Sequence, residues 1–249
     1  MNRLRGMVAL VIGGSGGIGG EIARGFAAEG ARIGIGGRTL QKVDAAVNAI
    51  RAAGGEAAGH AGELSGAQDC GAAIDAIVAA FDRIDILVNS QGVNLLKAAA
   101  EVTEAEYDRV LGTNLRSVFF ACQAAHRHMK GKGGAIINIA SLSAHRGWTL
   151  NSPYAASKHG VLALTRTFAV EWADDGVRVN SITPGFYKTD LNRSMPPSRE
   201  QTAIAGTPMR RFGTLDELVG VAVFLASAES RYVTGTDVAV DGGFLARGI

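Results

Sequence analysis

Residues 8–27 read VALVIGGSGGIGGEIARGFA, in which an apolar run leads through a group of glycines into a helical pattern. Glycines allow a tight turn and a close approach of the backbone to a ligand. The start of a helix offers free N–H groups and a positive dipole end, both of which favour a phosphate. The spacing Gly-x-x-x-Gly-x-Gly, from Gly13, Gly17 and Gly19, differs from the Gly-x-Gly-x-x-Gly dinucleotide fingerprint. The stretch predicts a strand, loop and helix that together bind a pyrophosphate.

Short apolar runs alternate with longer helical patterns along the whole chain. We predict strands at residues 7–12, 31–35, 84–89, 135–140, 177–182 and 237–240. Helical periodicity marks residues 17–30, 40–53, 67–81, 103–130, 152–174 and 215–227. Several strands are apolar throughout, which indicates that both of their faces are covered, as in a parallel sheet of right-handed βαβ units. The pattern predicts one α/β domain over residues 1–249, a Rossmann fold with a doubly wound, mostly parallel sheet of about seven strands and helices on both faces.

The composition is that of a folded globular protein, with 47% hydrophobic and 19% charged residues. The 25 basic and 23 acidic residues are spread along the chain, so we expect no nucleic-acid partner and no membrane-surface partner. Cys70 and Cys122 lack the spacing of a metal site, so we expect no metal, and a reducing compartment suits both thiols. The apolar runs are too short for a signal peptide or a membrane span, which predicts a cytoplasmic protein.

A second motif predicts acid/base chemistry. Tyr154 and Lys158 form a Tyr-x-x-x-Lys pair, and Ser141 ends an apolar run thirteen residues upstream of Tyr154. Four residues apart on a helix, the two side chains project from one face. The ammonium of Lys158 would then favour the ionised phenol and lower the pKa of Tyr154 from its ordinary value of ~10 towards neutrality. This places Tyr154 as a candidate general acid/base, with Ser141 beside it.

The end of the second predicted strand bears on the choice of cofactor. NAD-binding sites of this kind usually carry Asp or Glu there, to bind the ribose hydroxyls. Gly37 and Arg38 stand at this position instead. A guanidinium can pair with a 2′-phosphate, whereas an acidic side chain would repel it. We therefore expect NADP(H) rather than NAD(H), although the glycine loop itself contains no Lys or Arg.

With these motifs, the chain resembles the short-chain dehydrogenase/reductase family over essentially its whole length. Further matching segments are 86–92, 113–115, 136–141, 178–185 and 234–243. The resemblance implies a hydride-transferring oxidoreductase acting on an alcohol or ketone, and it adds Asn114, in a proton relay with Lys158, to the catalytic set of Ser141, Tyr154 and Lys158. It also implies a homotetramer. The cofactor residues predicted in this way are Gly13, Ser15, Gly16, Gly17, Ile18, Gly19, Arg38, Thr39, Glu63, Leu64, Asn89, Gly92, Tyr154, Lys158, Pro184, Gly185 and Thr189.

A few positions depart from the family pattern. Ile12 replaces the usual Thr, Ser90-Gln91 replace the more common Asn-Ala or Ala-Ala, and Glu63-Leu64 replace Asp plus an apolar residue. These positions concern loop hydrogen bonds and adenine contacts, so they bear on cofactor affinity rather than on the chemistry.

The substrate is expected to be a small carbonyl or alcohol compound covered by a lid at residues 188–207. Lys188, Arg193 and Arg199 of this segment are candidates to attract an anionic group. The segments 184–191 and 241–245 resemble those of gluconate 5-dehydrogenases and related sugar-acid or polyol dehydrogenases. The predicted substrate residues are Ser141, Ser143, His145, Tyr154, Phe186 and Tyr187.

Three alternative functions fit the same sequence. A 3-oxoacyl-thioester reductase acting on acyl carrier protein would share the core motifs and the length. Trp148, Phe186 and Tyr187 could instead line an apolar pocket for a cyclic or aromatic ketone. A non-catalytic nucleotide-binding scaffold on the same fold is the third possibility, because fold alone does not fix function.

Overall fold

The protein is described by a computed structural model that covers residues 2–189 and 195–247. Its seven strands are β1 (Val8–Ile12), β2 (Arg32–Gly37), β3 (Ala57–Ala61), β4 (Ile86–Asn89), β5 (Gly134–Ile139), β6 (Val177–Pro184) and β7 (Asp237–Val240). They form a sheet in the order β3-β2-β1-β4-β5-β6-β7, and each neighbouring pair is parallel. The order reverses between β1 and β4, and ligands of doubly wound sheets bind in the crevice outside that point. The predicted fold class is confirmed.

Helices cover both faces of the sheet. They are α1 (Gly17–Ala28), α2 (Leu40–Ala52), α3 (Ala67–Phe81), α4 (Glu104–Leu111), α5 (Ser117–Met129), α6 (Ser152–Glu171), α7 (Pro197–Gly206) and α8 (Val219–Ala226). Helices α1, α2 and α8 contribute to one buried core, and α3, α5 and α6 contribute to the other. Along β1, Ala9 and Val11 belong to the first core, while the alternate residues belong to the second. A strand with this alternation has two buried faces, which explains its apolar sequence.

Strand β3 differs from the sequence-based expectation, because it was not among the predicted strands. Its residues, Ala57-Ala58-Gly59-His60-Ala61, have low strand propensity and no alternating pattern. The strand forms through backbone pairing with β2, in a register that runs from Ile33 opposite Ala57 to Gly37 opposite Ala61. Long-range pairing therefore decides this edge of the sheet.

The helix predicted over residues 103–130 is divided in two. Helix α4 ends at Leu111, a π-helical turn spans Gly112–Arg116, and α5 begins at Ser117. Thr103 and Glu106 form a reciprocal capping box at the start of α4. π-Helical turns are found frequently at functional sites, and this one contains the fully buried Asn114.

Buried polar side chains connect the middle of the sheet to α6. Asn89 on β4 lies opposite Asn138 on β5, and its Nδ2 donates to Asn138 Oδ1 at 2.9 Å. Asn138 Nδ2 donates in turn to Thr165 Oγ1 on α6, also at 2.9 Å. Because every buried polar group needs a partner, these bonds help to fix how α6 lies on the sheet. Among the described residues, no helix is long and apolar enough to cross a membrane.

Candidate active site

The glycine loop between β1 and α1 and the first turn of α1 are packed too closely to accept side chains at several positions. A Cβ on Gly13, whose φ is 80°, would lie 2.8 Å from the backbone nitrogen of Gln91. A Cβ on Gly19 would lie 2.4 Å from the carbonyl oxygen of Gly13. Helix α1 begins without a side-chain cap at Gly16, so its first N–H groups remain available to an anion. The loop therefore has the features of a pyrophosphate site.

A cavity of about 860 Å³ begins at this loop and extends along the carboxyl ends of the strands. Ser141 follows β5, and Tyr154 and Lys158 lie in the first turns of α6. All three line the cavity together with the glycine loop. The other predicted cofactor residues on its wall are Ser15, Ile18, Gly92, Pro184, Gly185 and Thr189. Two motifs more than a hundred residues apart in the chain thus meet in one space.

The remaining predicted cofactor residues do not line this cavity. Gly19 and Asn89 lie buried behind the glycine loop and within the sheet. The other four are located at the ends of β2 and β3, where Leu64 is buried and the exposed side chains belong to Arg38, Thr39 and Glu63. Because these four residues lie outside the described cavity wall, their contacts with a cofactor stay a prediction.

Lys158 is held in place by the end of β5. Its Nζ donates to the carbonyl oxygen of Ile139 at 2.7 Å, and the residue is only 4% exposed. Burial lowers the pKa of Lys158 from 10.5 to about 8, because a low-dielectric environment disfavours the charged form. The same ammonium lies 5.9 Å from the centroid of the Tyr154 ring. A cationic side chain and a phenol therefore face the same part of the cavity.

The pKa of Tyr154 differs from the expectation that Lys158 lowers it. Burial raises the pKa of the phenol, and hydrogen bonding with Ser141 opposes that shift. The ammonium of Lys158 is directed to the Ile139 carbonyl, which explains why desolvation prevails. Tyr154 is consequently protonated at neutral pH, the state that a proton donor needs.

Asn114 supports the cavity wall from behind. Its Oδ1 accepts from the backbone nitrogen of Val93 at 2.8 Å, and its Nδ2 donates to the Val93 carbonyl at 2.9 Å. The same amide donates to Ser157 Oγ at 3.1 Å. A Cβ on Gly92 would lie 3.6 Å from Asn114 Oδ1 and 3.9 Å from Lys158 Nζ. The Asn114 side chain therefore fixes the segment after β4 that faces Lys158.

Aromatic side chains form the far end of the cavity. The rings of Trp148 and Phe244 stack with centroids 5.6 Å apart, and Phe186 meets Phe244 edge to face at 5.3 Å. All three line the cavity, as do Arg199 and Thr202 of α7. The cation Lys188 is paired with Glu200 at 2.8 Å. Arg193 and the rest of 190–194 in the predicted lid lie outside the described residues.

Two predicted substrate residues form hydrogen bonds within the fold. His145 is not part of the described cavity wall, and its Nε2 lies 3.0 Å from Asp237 Oδ2 and 3.2 Å from Thr183 Oγ1. His145 therefore connects the loop after β5 to β7, and its substrate contact stays a prediction. Tyr187 does line the cavity, but its hydroxyl donates to the Val240 carbonyl at 2.9 Å.

Comparison with known proteins identifies the family. The family model described as enoyl-(acyl carrier protein) reductase matches residues 13–245. D-Threitol dehydrogenase of Mycolicibacterium smegmatis is 38% identical over 97% of this chain and 94% of its own length. The chain belongs to the short-chain dehydrogenase/reductase family. The resemblance predicted from the sequence is confirmed.

Two further members of the family are named for different activities. The 3-oxoacyl-[acyl-carrier-protein] reductase of Thermotoga maritima is 34% identical over 98% of this chain and 99% of its own length. The crystal structure of a gluconate 5-dehydrogenase from Burkholderia cenocepacia, in complex with NADP and tartrate, aligns with a TM-score of 0.95. It is 35% identical and covers 99% of both chains. Members of the short-chain dehydrogenase/reductase family thus share this fold across different substrates.

Several cavity residues were missed from the sequence. Asn151 immediately precedes α6, three residues before Tyr154, and Asn is a favoured residue at a helix start, which is the signal that could have found it. Lys42, in the first turn of α2, also lines the cavity. Asn94 and Arg24 are further polar wall residues that were not predicted. Among the described residues, no group of three or more His, Cys, Asp or Glu could hold a metal ion.

The packing of the glycine loop leads to a first prediction. Gly19→Ala places a methyl group 2.4 Å from the Gly13 carbonyl oxygen, so the loop must move away from its phosphate-binding geometry. We expect the affinity for NADPH, measured by fluorescence titration, to fall at least about tenfold, which corresponds to ~1.4 kcal/mol.

The matched control is Gly220→Ala in α8, at an exposed glycine that is not part of the cavity wall. A Cβ on Gly220 meets nothing within 4 Å. NADPH should bind this variant as it binds the unmodified protein. Equal affinities of the two variants would contradict the role assigned to the close contact between Gly13 and Gly19.

The buried ammonium leads to a second prediction, on stability. The folded-state pKa of Lys158, about 8, lies below the ordinary 10.5, so the unfolded chain binds more protons between these pH values. Stability should therefore rise with pH across this window on account of Lys158. We expect Lys158→Met to be more stable than the unmodified protein at pH 7, by on the order of 1–3 kcal/mol, and this advantage to shrink by pH 10.

Urea unfolding at both pH values measures this difference. Lys132→Met, at an exposed lysine, is the control and should change stability by less than about 0.5 kcal/mol at either pH. An advantage of Lys158→Met that is the same at pH 7 and pH 10 would show that the ammonium is not responsible.

Proposed function

We propose that this protein interconverts a secondary alcohol and a ketone with NADP(H), acting on a sugar acid, a polyol or a similar small compound. One observation carries the proposal: Ser141, Tyr154 and Lys158 line the same cavity that begins at the glycine loop. An acid/base pair next to a pyrophosphate site is the arrangement that a nicotinamide-dependent oxidoreductase requires. The bound nicotinamide would supply or accept the hydride.

The residues of the chain would manage the proton and the developing charge. In the reducing direction, Tyr154, protonated at neutral pH, donates its proton to the substrate oxygen. Ser141 donates a hydrogen bond to the same oxygen, where negative charge develops. Lys158, with a pKa of about 8, lies beside the phenol and can restore the lost proton. Asn114 positions this group through the segment at Val93 and is assigned the relay to solvent.

The preference for NADP(H) over NAD(H) is supported by the end of β2. A Cβ on Gly37 would lie 3.1 Å from Ser15 Oγ and 3.0 Å from Val43 Cγ2, which leaves little space for an acidic side chain. The adjacent Arg38 is exposed, and its guanidinium forms no ion pair with the described residues. A free guanidinium suits a 2′-phosphate. The gluconate 5-dehydrogenase from Burkholderia cenocepacia contains NADP.

The substrate class rests on the relatives and on the cavity. The D-threitol dehydrogenase is named for a polyol and the gluconate 5-dehydrogenase for a sugar acid. The second candidate is reduction of a 3-oxoacyl thioester. It is supported by the 34% identity of this chain to the 3-oxoacyl-[acyl-carrier-protein] reductase of Thermotoga maritima. Trp148, Phe186 and Phe244 give the far end an apolar surface that either substrate could contact.

Further parts of the proposal concern the chain as a whole. We assign residues 1–249 to one catalytic domain and residues 188–207 to a lid over the substrate end. Helix α7 supports the lid role, because Arg199, Thr202 and Gly206 line the cavity. A homotetramer and a cytoplasmic location are proposed from the family resemblance.

A third prediction tests the reaction itself. Initial rates of NADP⁺ and NAD⁺ reduction should be measured with D-gluconate and a panel of sugar acids, polyols and cyclic alcohols. Tyr154→Phe removes the proton-transferring hydroxyl, so we expect turnover to fall by roughly 10² to 10⁴. NADPH binding should stay within a few-fold, because the glycine loop is untouched.

Each outcome assigns a function. Oxidation of one class of alcohol establishes the substrate, whereas reduction of a 3-oxoacyl thioester without any alcohol oxidation favours the second candidate. NADPH binding without turnover in either assay would favour a non-catalytic nucleotide-binding protein. Undiminished turnover by Tyr154→Phe would remove the phenol from the mechanism.

A fourth prediction tests the choice of cofactor. Arg38→Leu removes the guanidinium proposed to bind the 2′-phosphate, and charged hydrogen bonds of this kind contribute about 1.5–3 kcal/mol. We expect the KM for NADP⁺ to rise roughly tenfold or more and the KM for NAD⁺ to change little. Arg109→Leu, at an exposed arginine of α4, is the control. Equal effects of Arg38→Leu on the two cofactors would overturn the assignment.

A further inference from the structure

A second polar pair lies beside the catalytic pair. Ser143 follows Ser141 by two residues, and Asn151 precedes Tyr154 by three residues at the start of α6. Both Ser143 and Asn151 line the cavity, and each is only 5% exposed. Asn151 is the residue just before α6, and Tyr154 lies in the first turn that follows it. The two pairs are therefore close enough to contact two oxygens of one small molecule.

The two pairs are also joined by hydrogen bonds. The backbone nitrogen of Ser143 donates to Ser141 Oγ at 3.2 Å. Asn151 Nδ2 donates to Ser143 Oγ at 3.1 Å. Ser143 therefore uses its oxygen as an acceptor within the fold, and its hydroxyl proton remains available to a ligand.

One atom of this pair lacks a partner. Asn151 Oδ1 is buried and accepts no hydrogen bond from the described residues. A buried acceptor without a partner is unfavourable, because folding has removed its hydrogen bond to water. The amide does not cap α6 either, because no side-chain hydrogen bond is formed at that helix start. Asn151 itself lines the cavity, so a modest rotation of its amide towards the cavity would let a ligand supply the missing donor.

We propose that Ser143 and Asn151 bind a hydroxyl group on the carbon next to the reacting carbon. The substrate class is then a vicinal diol in the oxidising direction and an α-hydroxy ketone in the reducing direction. A hydroxyl satisfies both residues at once, since it can donate to Asn151 Oδ1 and accept from the Ser143 hydroxyl. This inference rests on the proposed function, in which Ser141 and Tyr154 hold the reacting oxygen.

The same pair separates the two candidate substrates. A sugar acid or polyol carries a hydroxyl next to almost every carbon. A 3-oxoacyl thioester carries CH₂ groups on both sides of its ketone, so it would leave Asn151 Oδ1 buried and unpaired. Sites built to bind a substrate hydroxyl discriminate strongly against analogues that lack it. Ser143 and Asn151 are accordingly specificity-determining residues for hydroxylated substrates.

The test compares butane-2,3-diol with butan-2-ol, two probes that differ by one hydroxyl next to the reacting carbon. The kcat/KM for the diol should be about tenfold to hundredfold higher than that for butan-2-ol. This is the effect expected when butan-2-ol leaves one buried hydrogen bond unmade. Asn151→Leu should reduce this ratio to near one by slowing the diol alone, and Ser143→Ala is a second variant that should reduce it in the same direction. An unchanged affinity for NADPH shows that each variant is folded.

The matched control is Asn94→Leu. Asn94 also lines the cavity, but its Oδ1 already accepts from the backbone nitrogen of Leu95 at 2.8 Å. The ratio between the two probes should therefore be the same in Asn94→Leu as in the unmodified protein. A ratio near one in the unmodified protein, or an Asn151→Leu variant that slows both probes equally, would overturn the proposal.

A binding measurement tests the hydroxyl site independently of the proposed reaction. Calorimetric titration of both probes into Tyr154→Phe loaded with NADP⁺ needs no turnover. The hydroxyl site is supported if Tyr154→Phe binds the diol more tightly than butan-2-ol and if this difference disappears in Tyr154→Phe/Asn151→Leu. A failure of the unmodified protein to oxidise any alcohol would then contradict only the proposed function. Equal binding of the two probes to Tyr154→Phe contradicts the hydroxyl site alone.

Discussion

The structure depends most on the close approach of three backbone segments at the glycine loop. The carbonyl of Gly13 lies 2.4 Å from where a Gly19 side chain would begin, and Gly13 itself packs against the backbone of Ser90 and Gln91 after β4. Side chains at Gly13 or Gly19 would separate β1, α1 and β4. Since the strand order reverses between β1 and β4, this contact also sets the width of the crevice in which the cavity opens. Fold and binding site therefore share one steric constraint.

A second constraint is the buried ammonium of Lys158. Removing a charge from water is unfavourable, and the lowered pKa of about 8 records that effect. The hydrogen bond to the Ile139 carbonyl fixes α6 at the end of β5, while the Asn138–Thr165 bond fixes the same helix further along. Tyr154 lies in the first turn of this helix, so the same bonds position its phenol at the cavity. The contacts of α6 with the sheet thus offset the unfavourable burial of the Lys158 ammonium.

Local patterns in the sequence predicted much of this, and long-range contacts account for what they missed. The apolar run of β1 predicts a strand that is buried on both faces, and the spacing of Tyr154 and Lys158 predicts that both lie on one face of a helix. Both predictions need only neighbouring residues of the sequence. The Ala- and Gly-rich β3 has no such signal and exists because β2 pairs with it. His145 contacts Asp237, which is 92 residues away, and no spacing rule reveals that contact. Whether the Asn151 oxygen is paired likewise depends on the positions of donors from the whole described structure, which no local pattern contains.

The cavity wall beyond the glycine loop has an aromatic part and a polar part, and this bears on the choice between substrates. Trp148 and Phe244 present stacked rings, while Ser143 and Asn151 present a hydroxyl and an amide. A polyol or sugar acid has the matching character, since its C–H groups can lie against the rings while its hydroxyl groups meet the polar pair. An acyl chain would find partners only on the aromatic side and would bury the amide oxygen of Asn151 without a donor, at about 1–3 kcal/mol. Hydrogen-bond satisfaction, more than cavity size, thus favours a hydroxylated substrate.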